Sequence, residues 1–145
     1  MIVRTVLRSK TSALVCTISP DQTIADAARE LHLHRIGALV VMDDNGGLAG
    51  ILSERDIARG LALYGEGLSI LPVRELMTRA VLFCTPDDSL QSLMQTMTNC
   101  RVRHLPVVED GALVGIMTIG DVVKNCLEEA TMEVHEMRGY VMAGR

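Results

Sequence analysis

The chain has few aromatic residues and little clustered positive charge. Among its 145 residues there is no tryptophan, one phenylalanine and two tyrosines, and the net charge is −4. Proteins that bind single-stranded nucleic acids stack bases on aromatic rings, and phosphate binding needs clustered Lys and Arg. A basic stretch occurs only at Arg4, Arg8 and Lys10. The composition therefore argues against a nucleic acid as partner.

Long apolar runs and familiar catalytic motifs are also missing. The longest central apolar run, residues 36–42, is strand-sized, whereas a membrane span needs roughly 18 residues. Residues 1–11 lack the continuous apolar segment of a signal peptide. We therefore expect a cytoplasmic protein that has no membrane partner. The absence of a nucleophile elbow, a zincin helix or a phosphate loop predicts that it is not an enzyme and requires no cofactor or metal.

Cysteines are few and scattered. Cys16, Cys84, Cys100 and Cys126 form no C-x-x-C pair, so a zinc knuckle or a redox motif is not indicated. We predict reduced, mostly buried thiols that pack as small apolar groups.

An internal repeat is the most informative feature that is present. Residues 18–59 recur in altered letters as residues 84–124. Matching positions are 66 residues apart before a glycine-bearing turn and 65 apart after it, so that Asp56 matches Asp121. Two copies of a unit too short to bury its own apolar face imply a paired architecture with a pseudo-two-fold axis.

Each copy predicts the same order of elements. Thr23 or Ser89 is placed to cap a helix whose apolar residues follow the i, i+3, i+4, i+7 pattern, and a hairpin and a second helix follow. The predicted first strands are residues 14–18 and 80–83, and the hairpin strands are 38–42 with 48–52 and 105–108 with 113–117. Gly65, Gly67 and Pro72 predict a loop over residues 60–74, and Gly139 is expected to end a helix over residues 126–137.

One polar pattern directly follows the second hairpin strand in both copies. Ser53 precedes Asp56 by three residues, and Thr118 precedes Asp121 by three. One interpretation is a capping box, which requires no function beyond starting a helix. The other is half of a nucleotide site, because a helix N-terminus suits a phosphate and an ionised carboxylate suits ribose hydroxyls. Local physics leaves both open.

The two copies resemble a tandem pair of cystathionine-β-synthase domains, known as a CBS pair or Bateman module. The resemblance is carried by residues 35–41 with 50–57 and by residues 101–108 with 115–122. It implies an α+β fold of two β-α-β-β-α repeats packed as a pseudo-two-fold pair through their sheets. The corresponding division is an N-terminal extension (1–13), a first repeat (14–62), a linker (63–79), a second repeat (80–125) and a C-terminal helix or tail (126–145).

The resemblance also implies clefts between the repeats that bind an adenosyl ligand such as AMP, ADP, ATP or NAD. By position, Asp56 and Asp121 would hold ribose hydroxyls, with Ser53 and Thr118 at the ribose or phosphate. The adenine would lie against Thr17, Ile18, Ile36, Gly37 and Ala38 in the first copy, and against Val81, Phe83, Arg103, His104, Leu105 and Pro106 in the second.

The copies differ at positions that bear on such a ligand. Arg55 of the first copy is replaced by Gly120, so only one helix start carries this cation, which pairs either with a phosphate or with a nearby acid. Arg103 and His104 stand where the first copy has small residues. The two sites are therefore expected not to be equivalent.

The sequence thus predicts a regulatory adenine-nucleotide sensor that acts through a change of conformation or assembly. The resemblance implies a homodimer whose interface buries apolar helix faces that include Ile57, Leu61 and Val122, and a protein partner is left open. The alternative is a scaffold that dimerises or holds a partner without a ligand. A nucleotide-converting enzyme is a third class, for which no base or activated water is found.

Overall fold

The computed structural model describes residues 1–10 and 15–144. These residues form two compact units. One contains residues 15–82, which hold the first repeat, and the other contains residues 1–10 and 83–144, which hold the N-terminal segment and the second repeat. The predicted division between residues 13 and 14 lies outside the described residues, as does Leu14 of the predicted first strand.

The helices and strands follow the predicted order in both repeats. In chain order they are α1 (Val3–Ser9), β1 (Thr17–Ile18), α2 (Ile24–His34), β2 (Ala38–Met42), β3 (Leu48–Ser53), α3 (Glu54–Tyr64), two 3-10 helices (Gly65–Ile70 and Val73–Glu75), α4 (Leu90–Cys100), β4 (His104–Glu109), β5 (Ala112–Thr118) and α5 (Ile119–Ala143).

The first repeat is built on a three-stranded sheet. Its order is β1-β2-β3, with β1 parallel and β3 antiparallel to the central β2. The β2 segment is almost wholly buried, which explains its continuous apolar sequence. Residues shared by α2, the sheet and the 3-10 segments form one core: Ile18, Ile24, Ala27, Leu31, Leu39, Val41, Leu52, Leu68, Val73 and Leu76.

The predicted loop over residues 60–74 is wrong. Helix α3 continues through Gly60 to Tyr64, and two 3-10 helices follow. These elements fold onto the first repeat because Leu68 and Val73 are buried in its core. Gly60 is needed inside the helix, since a Cβ there would overlap a methyl group of Leu76.

The second repeat contains the β4–β5 hairpin and the helices α4 and α5. The predicted strand over residues 80–83 is reduced to one parallel bridge between Cys84 and Val107. Helix α1 belongs to this unit, because Val3 and Val6 are fully buried in its core. The predicted stop at Gly139 is wrong, since α5 runs on to Ala143.

Charge anchors α1 to the second repeat. The Arg4 guanidinium donates hydrogen bonds to Glu109 (2.7 Å) and Asp87 (3.3 Å), and these acids raise its pKa above the ordinary value. Two residues of the N-terminal basic stretch, Arg4 and Lys10, are therefore engaged within their own unit.

The cysteine prediction is only partly confirmed. The four thiols form no disulfide. Cys84 is buried, and burial raises its pKa to about 12. Cys16 and Cys126 are only partly buried, and Cys100 is exposed at the end of α4. Most of the thiols are thus not fully buried.

Candidate functional site

Capping boxes begin the helices that follow β3 and β5. At the first helix-start site (Ser53 and Asp56), the Ser53 amide donates to Asp56 Oδ2 (2.9 Å) and the Asp56 amide donates to Ser53 Oγ (3.3 Å). At the second (Thr118 and Asp121), the corresponding distances are 3.0 and 3.1 Å. The capping interpretation is confirmed at both sites.

A capping box is not specific to these two positions. Helix α2 begins with the same reciprocal bonds between Thr23 and Asp26. The two helix-start sites differ from this one because Ser53 and Thr118 each end a strand. Their carboxylates are also more buried, with side-chain exposures of 8% for Asp56 and 21% for Asp121, against 39% for Asp26.

Strand pairing brings the first residues of β2 and β4, and the residue before each, next to the helix starts. Ala38 pairs with Ser53, and the Gly37 carbonyl accepts a hydrogen bond from the Glu54 amide (3.0 Å). In the second repeat His104 pairs with Thr118, and the Arg103 carbonyl accepts from the Ile119 amide (2.9 Å). Within each repeat, the residues predicted to contact the adenine at or before the start of the first hairpin strand therefore lie next to the Ser or Thr predicted to contact the ribose or phosphate.

The predicted adenine-contacting residues of the first strands are positioned differently in the two repeats. Thr17 and Ile18 lie in β1, beside Val40 and Val41 of β2. In the second repeat, Phe83 is exposed and immediately precedes the bridge at Cys84. Val81 falls in the unit formed by residues 15–82 and Phe83 in the other unit, and the grouping of Val81 with the second-repeat contacts stays a prediction.

Several predicted contacts have side chains that belong to a core. Ile18, Ala38, Leu105 and Pro106 are buried, so a ligand would meet mainly their backbone groups. The Pro106 carbonyl already accepts from the Cys84 amide (2.9 Å). Among the other predicted contacts, Thr17, Arg55 and Arg103 are exposed, whereas Ile36, Gly37 and His104 are partly buried.

At the first helix-start site the carboxylate is surrounded by donors. Asp56 Oδ2 accepts from the Ser53 amide and hydroxyl, and Oδ1 accepts from Arg59 Nη2 (2.9 Å). The residue is buried, with 5% of its surface exposed. Arg59 lies one helical turn after Asp56, which is the spacing of an i, i+3 ion pair.

A residue outside the repeats reaches the second helix-start site. Lys10, which follows α1, donates from Nζ to Asp121 Oδ2 (2.8 Å) and to the Ile116 carbonyl (2.9 Å). Burial acts to raise the pKa of the Asp121 carboxyl, but the Lys10 ammonium and the Thr118 donors outweigh it, so the pKa lies below its ordinary value. Asp121 is therefore an ionised acceptor at neutral pH. A carboxylate has about four lone-pair positions, which leaves it capacity for a hydroxyl donor.

The sequence interpretation missed both cations. Arg59 could have been found from its spacing to Asp56 on a predicted helix. Lys10 carried no such signal, because it lies more than 100 positions from Asp121 and outside the repeated segment. Its contact depends on α1 docking on the second repeat.

The glycines before these sites are required for packing. A Cβ at Gly50 would lie 2.8 Å from the Thr78 carbonyl oxygen, and one at Gly115 would lie 2.7 Å from a methyl group of Leu7. Close approach of the chain itself therefore explains both glycines.

A metal-binding cluster and a membrane-spanning helix are both absent from the part of the chain that the structure describes. Among residues 1–10 and 15–144, no group of three or more His, Cys, Asp or Glu side chains is arranged to hold a metal ion. Within the same ranges, no helix combines the length and apolarity needed to cross a membrane.

Comparison with protein families gives the same duplicated unit. The CBS domain model matches the chain twice, at residues 9–63 and 73–128. The chain belongs to the CBS domain family. The predicted resemblance and the α+β fold of two CBS repeats are thus confirmed.

Several relatives are CBS-domain proteins. The chain is 35% identical over 137 residues to the mitochondrial CBS domain-containing protein CBSX3 of Arabidopsis thaliana, covering 92% of this chain and 66% of the relative. It therefore spans slightly less than two thirds of that protein. It is 38% identical over 111 residues to YhcV of Bacillus subtilis, covering 77% of this chain and 78% of that one.

Solved structures include one with adenosyl compounds bound. The CBS-domain protein ATU1752 of Agrobacterium tumefaciens superposes with a TM-score of 0.82 at 41% identity, covering 85% of this chain and 91% of that one. The CBS domain pair of MJ0100, solved with 5′-methylthioadenosine and S-adenosyl-L-methionine, superposes with a TM-score of 0.77 at 28% identity, covering 89% and 98%. The CBS pair is thus a fold that binds adenosyl compounds in at least one similar protein.

Proposed function

We propose that this chain is a regulatory CBS-pair protein that binds an adenosyl ligand at its helix-start sites. The observation that carries the proposal is the duplicated arrangement of a buried or partly buried aspartate, a hydroxyl and a helix N-terminus directly after the second strand of each hairpin. The adenosyl compounds bound to the CBS pair of MJ0100 support the ligand class. AMP, ADP, ATP and NAD are the candidates.

Each polar group has a role suited to such a ligand. The carboxylates of Asp56 and Asp121 accept hydrogen bonds and suit the paired hydroxyls of a ribose. The amides at the starts of α3 and α5 carry partial positive charge and suit a phosphate. Arg55, which is exposed at the start of α3, adds a cation at a position where the second repeat has Gly120.

The second helix-start site is proposed as the stronger ribose site. Asp56 already accepts three hydrogen bonds, and 8% of its side chain is exposed. Asp121 accepts from the Thr118 amide and Lys10, both at Oδ2, and 21% of its side chain is exposed. Asp121 therefore has the greater remaining acceptor capacity.

Binding would regulate by linkage. A ligand shifts a conformational or assembly equilibrium only by its difference in affinity between the two states. We propose that an occupied site changes the affinity of the chain for its own copies or for a protein partner. No chemical conversion of the ligand is needed for this role.

The test is thermal unfolding with AMP, ADP, ATP, NAD and S-adenosylmethionine added separately to nucleotide-free protein. A ligand at about 100 times its dissociation constant adds about 2.7 kcal/mol to the free energy of unfolding. For a chain of this size this raises the melting temperature by roughly 5 to 10 °C. No shift with any of the five compounds would contradict the proposal.

Three matched variants separate ligand binding from helix capping. Asp121→Asn, Asp56→Asn and Asp26→Asn each remove one charge from a capping box. We expect all three to lower stability modestly, and only Asp121→Asn and Asp56→Asn to reduce the ligand-induced shift, the former more. If Asp26→Asn reduced that shift equally, the aspartates would be acting only as caps.

A ligand-independent interaction scaffold is the second proposal. It is supported by large apolar side chains exposed on α3 and α5, such as Leu61, Leu63, Met137 and Val141. Val122 is not available for the predicted interface, because it is fully buried in the core of the second repeat. Association that is unchanged by every adenosyl compound would favour this proposal over the sensor.

A further inference from the structure

Helix α5 is longer than its own unit can cover. It has 25 residues, whereas the matching helix α3 has 11. Its first part packs on the second repeat through Val122, Ile119 and Cys126, and the N-terminal ammonium group pairs with Glu129 (2.8 Å). Every residue from 131 to 144 is exposed. A helical segment of this length is marginal in water without a packing partner.

The exposed part of α5 carries an apolar stripe with a seven-residue period. Its members are separated by alternating steps of four and three residues: Val123, Leu127, Ala130, Val134, Met137 and Val141. All six are exposed, and the exposed fraction reaches 62% for Leu127 and 69% for Met137. An average step of 3.5 residues keeps one seam of a helix facing another helix, and it is the spacing of a left-handed coiled coil.

The residues of this seam favour two strands. In heptad notation, Leu127, Val134 and Val141 occupy the a positions, and Val123, Ala130 and Met137 occupy the d positions. β-branched residues at a favour two-stranded parallel coiled coils. The seam spans 18 residue steps, or about 27 Å of helix.

Charges beside the seam distinguish parallel from antiparallel pairing. Glu133 lies at a g position, and Arg138 lies at the e position five residues later. In a parallel pair of identical helices, each Glu133 faces Arg138 of the other copy, which gives two attractive contacts. In an antiparallel pair Glu133 would face its own counterpart, and Lys124 would face Arg138, so like charges would meet.

We infer that the α5 seam binds the α5 seam of a second copy of this chain as a short parallel coiled coil. The occupant follows from self-complementarity: one surface supplies both the apolar seam and both signs of flanking charge. The inference is independent of the proposed ligand, since none of these residues belongs to a helix-start site. It concerns a different surface from the helix faces at Ile57, Leu61 and Val122 named in the sequence prediction.

Light scattering on the full chain after gel filtration, over a series of protein concentrations, tests the inference. Val134→Glu places a charge in the seam, and we expect it to halve the mass that the unaltered chain reaches at high concentration. Met132→Glu is the matched control, because Met132 is 63% exposed on the opposite side of the helix. It should leave the mass unchanged. Glu is a better helix former than Val, so circular dichroism should show no loss of helix within the monomer from Val134→Glu itself.

Charge exchange tests the orientation. In the parallel arrangement Arg138→Glu sets like charges against each other, and we expect the dissociation constant to rise several-fold. The double variant Glu133→Arg, Arg138→Glu should return it close to the original value. Equal masses for the unaltered chain and Val134→Glu at all concentrations would overturn the inference, and tighter association of Arg138→Glu would overturn the parallel orientation.

Discussion

Removing the ammonium group of Lys10 tests how α1 is held to the second helix-start site. Lys10 Nζ lies 2.8 Å from Asp121 Oδ2 and 2.9 Å from the Ile116 carbonyl oxygen. About four fifths of each side chain is buried, with exposures of 22% for Lys10 and 21% for Asp121. Lys10→Met keeps the apolar stem and removes both hydrogen bonds. Asp121 would then lose its counter-ion in a largely buried position.

We expect Lys10→Met to lower the free energy of unfolding moderately. Hydrogen bonds that involve a charged group contribute about 1.5 to 3 kcal/mol, and exposed ion pairs contribute about 0 to 1 kcal/mol. For this partly buried pair we expect Lys10→Met to lower the free energy of unfolding by about 1 to 2 kcal/mol. At about 2 to 4 °C per kcal/mol, the melting temperature falls by roughly 2 to 8 °C at pH 7.

The effect depends on pH with a definite sign. The Asp121 pKa lies below its ordinary value in the folded chain. The stabilisation is therefore complete above the unfolded pKa of about 3.9, and is lost as the pH falls through the lower folded value. The difference between Lys10→Met and the unaltered chain should be constant from pH 7 to about pH 5 and shrink below pH 4.

Thermal unfolding of Lys10→Met over this pH range, with Arg8→Met as the control, tests whether the Lys10–Asp121 contact stabilises the fold. Arg8 is exposed in α1, two residues before Lys10, and its replacement removes the same charge. We expect Arg8→Met to change the melting temperature by less than Lys10→Met. The reasoning would be refuted if the two variants were equally stable at pH 7, or if the Lys10→Met difference persisted unchanged at pH 3.

Three further predictions address packing and thiol chemistry. Gly139→Ala should stabilise the end of α5 by up to about 1 kcal/mol, because alanine is the better helix former and the space around Gly139 admits its methyl group. Helical circular dichroism should increase, and unchanged or decreased ellipticity would contradict this prediction. Gly60→Ala should lower the free energy of unfolding, measured in urea, by about 1 to 3 kcal/mol, because the added methyl group would overpack against the buried Leu68 and Leu76. Gly67→Ala is the control and should leave this free energy unchanged, because no atom lies within 4 Å of a Cβ added there. Cys100 should react with a thiol reagent in the folded protein, while Cys84, buried and with a pKa of about 12, should react only on unfolding, even at pH 9; reaction of both at equal rates would exclude the buried position.

Local signals in the sequence determined the repeated unit and the starts of its helices. Thr23 and Ser89 cap α2 and α4 as predicted, and β2 has its predicted bounds. These features depend on neighbours three or four residues apart, or on the alternation within one strand, so the sequence alone contains them. The doubled pattern was long enough to identify the CBS family, which the family comparison confirms.

Tertiary packing decided the features that no local pattern contains. Gly60 stays helical because its missing side chain admits Leu76, and Leu68 holds the following segment on the core, so the predicted loop became helix. Lys10 reaches Asp121 only because burial of Val3 and Val6 fixes α1 on the second repeat. Repeat matching and local spacing describe relations within one copy of the repeat. The partner of the Asp121 carboxylate depends instead on which distant segment packs into the core of the second repeat. The sequence by itself therefore determined the family, the positions of the two aspartates and the spacing that pairs Asp56 with Arg59, and only the tertiary structure determined that Lys10 accompanies Asp121.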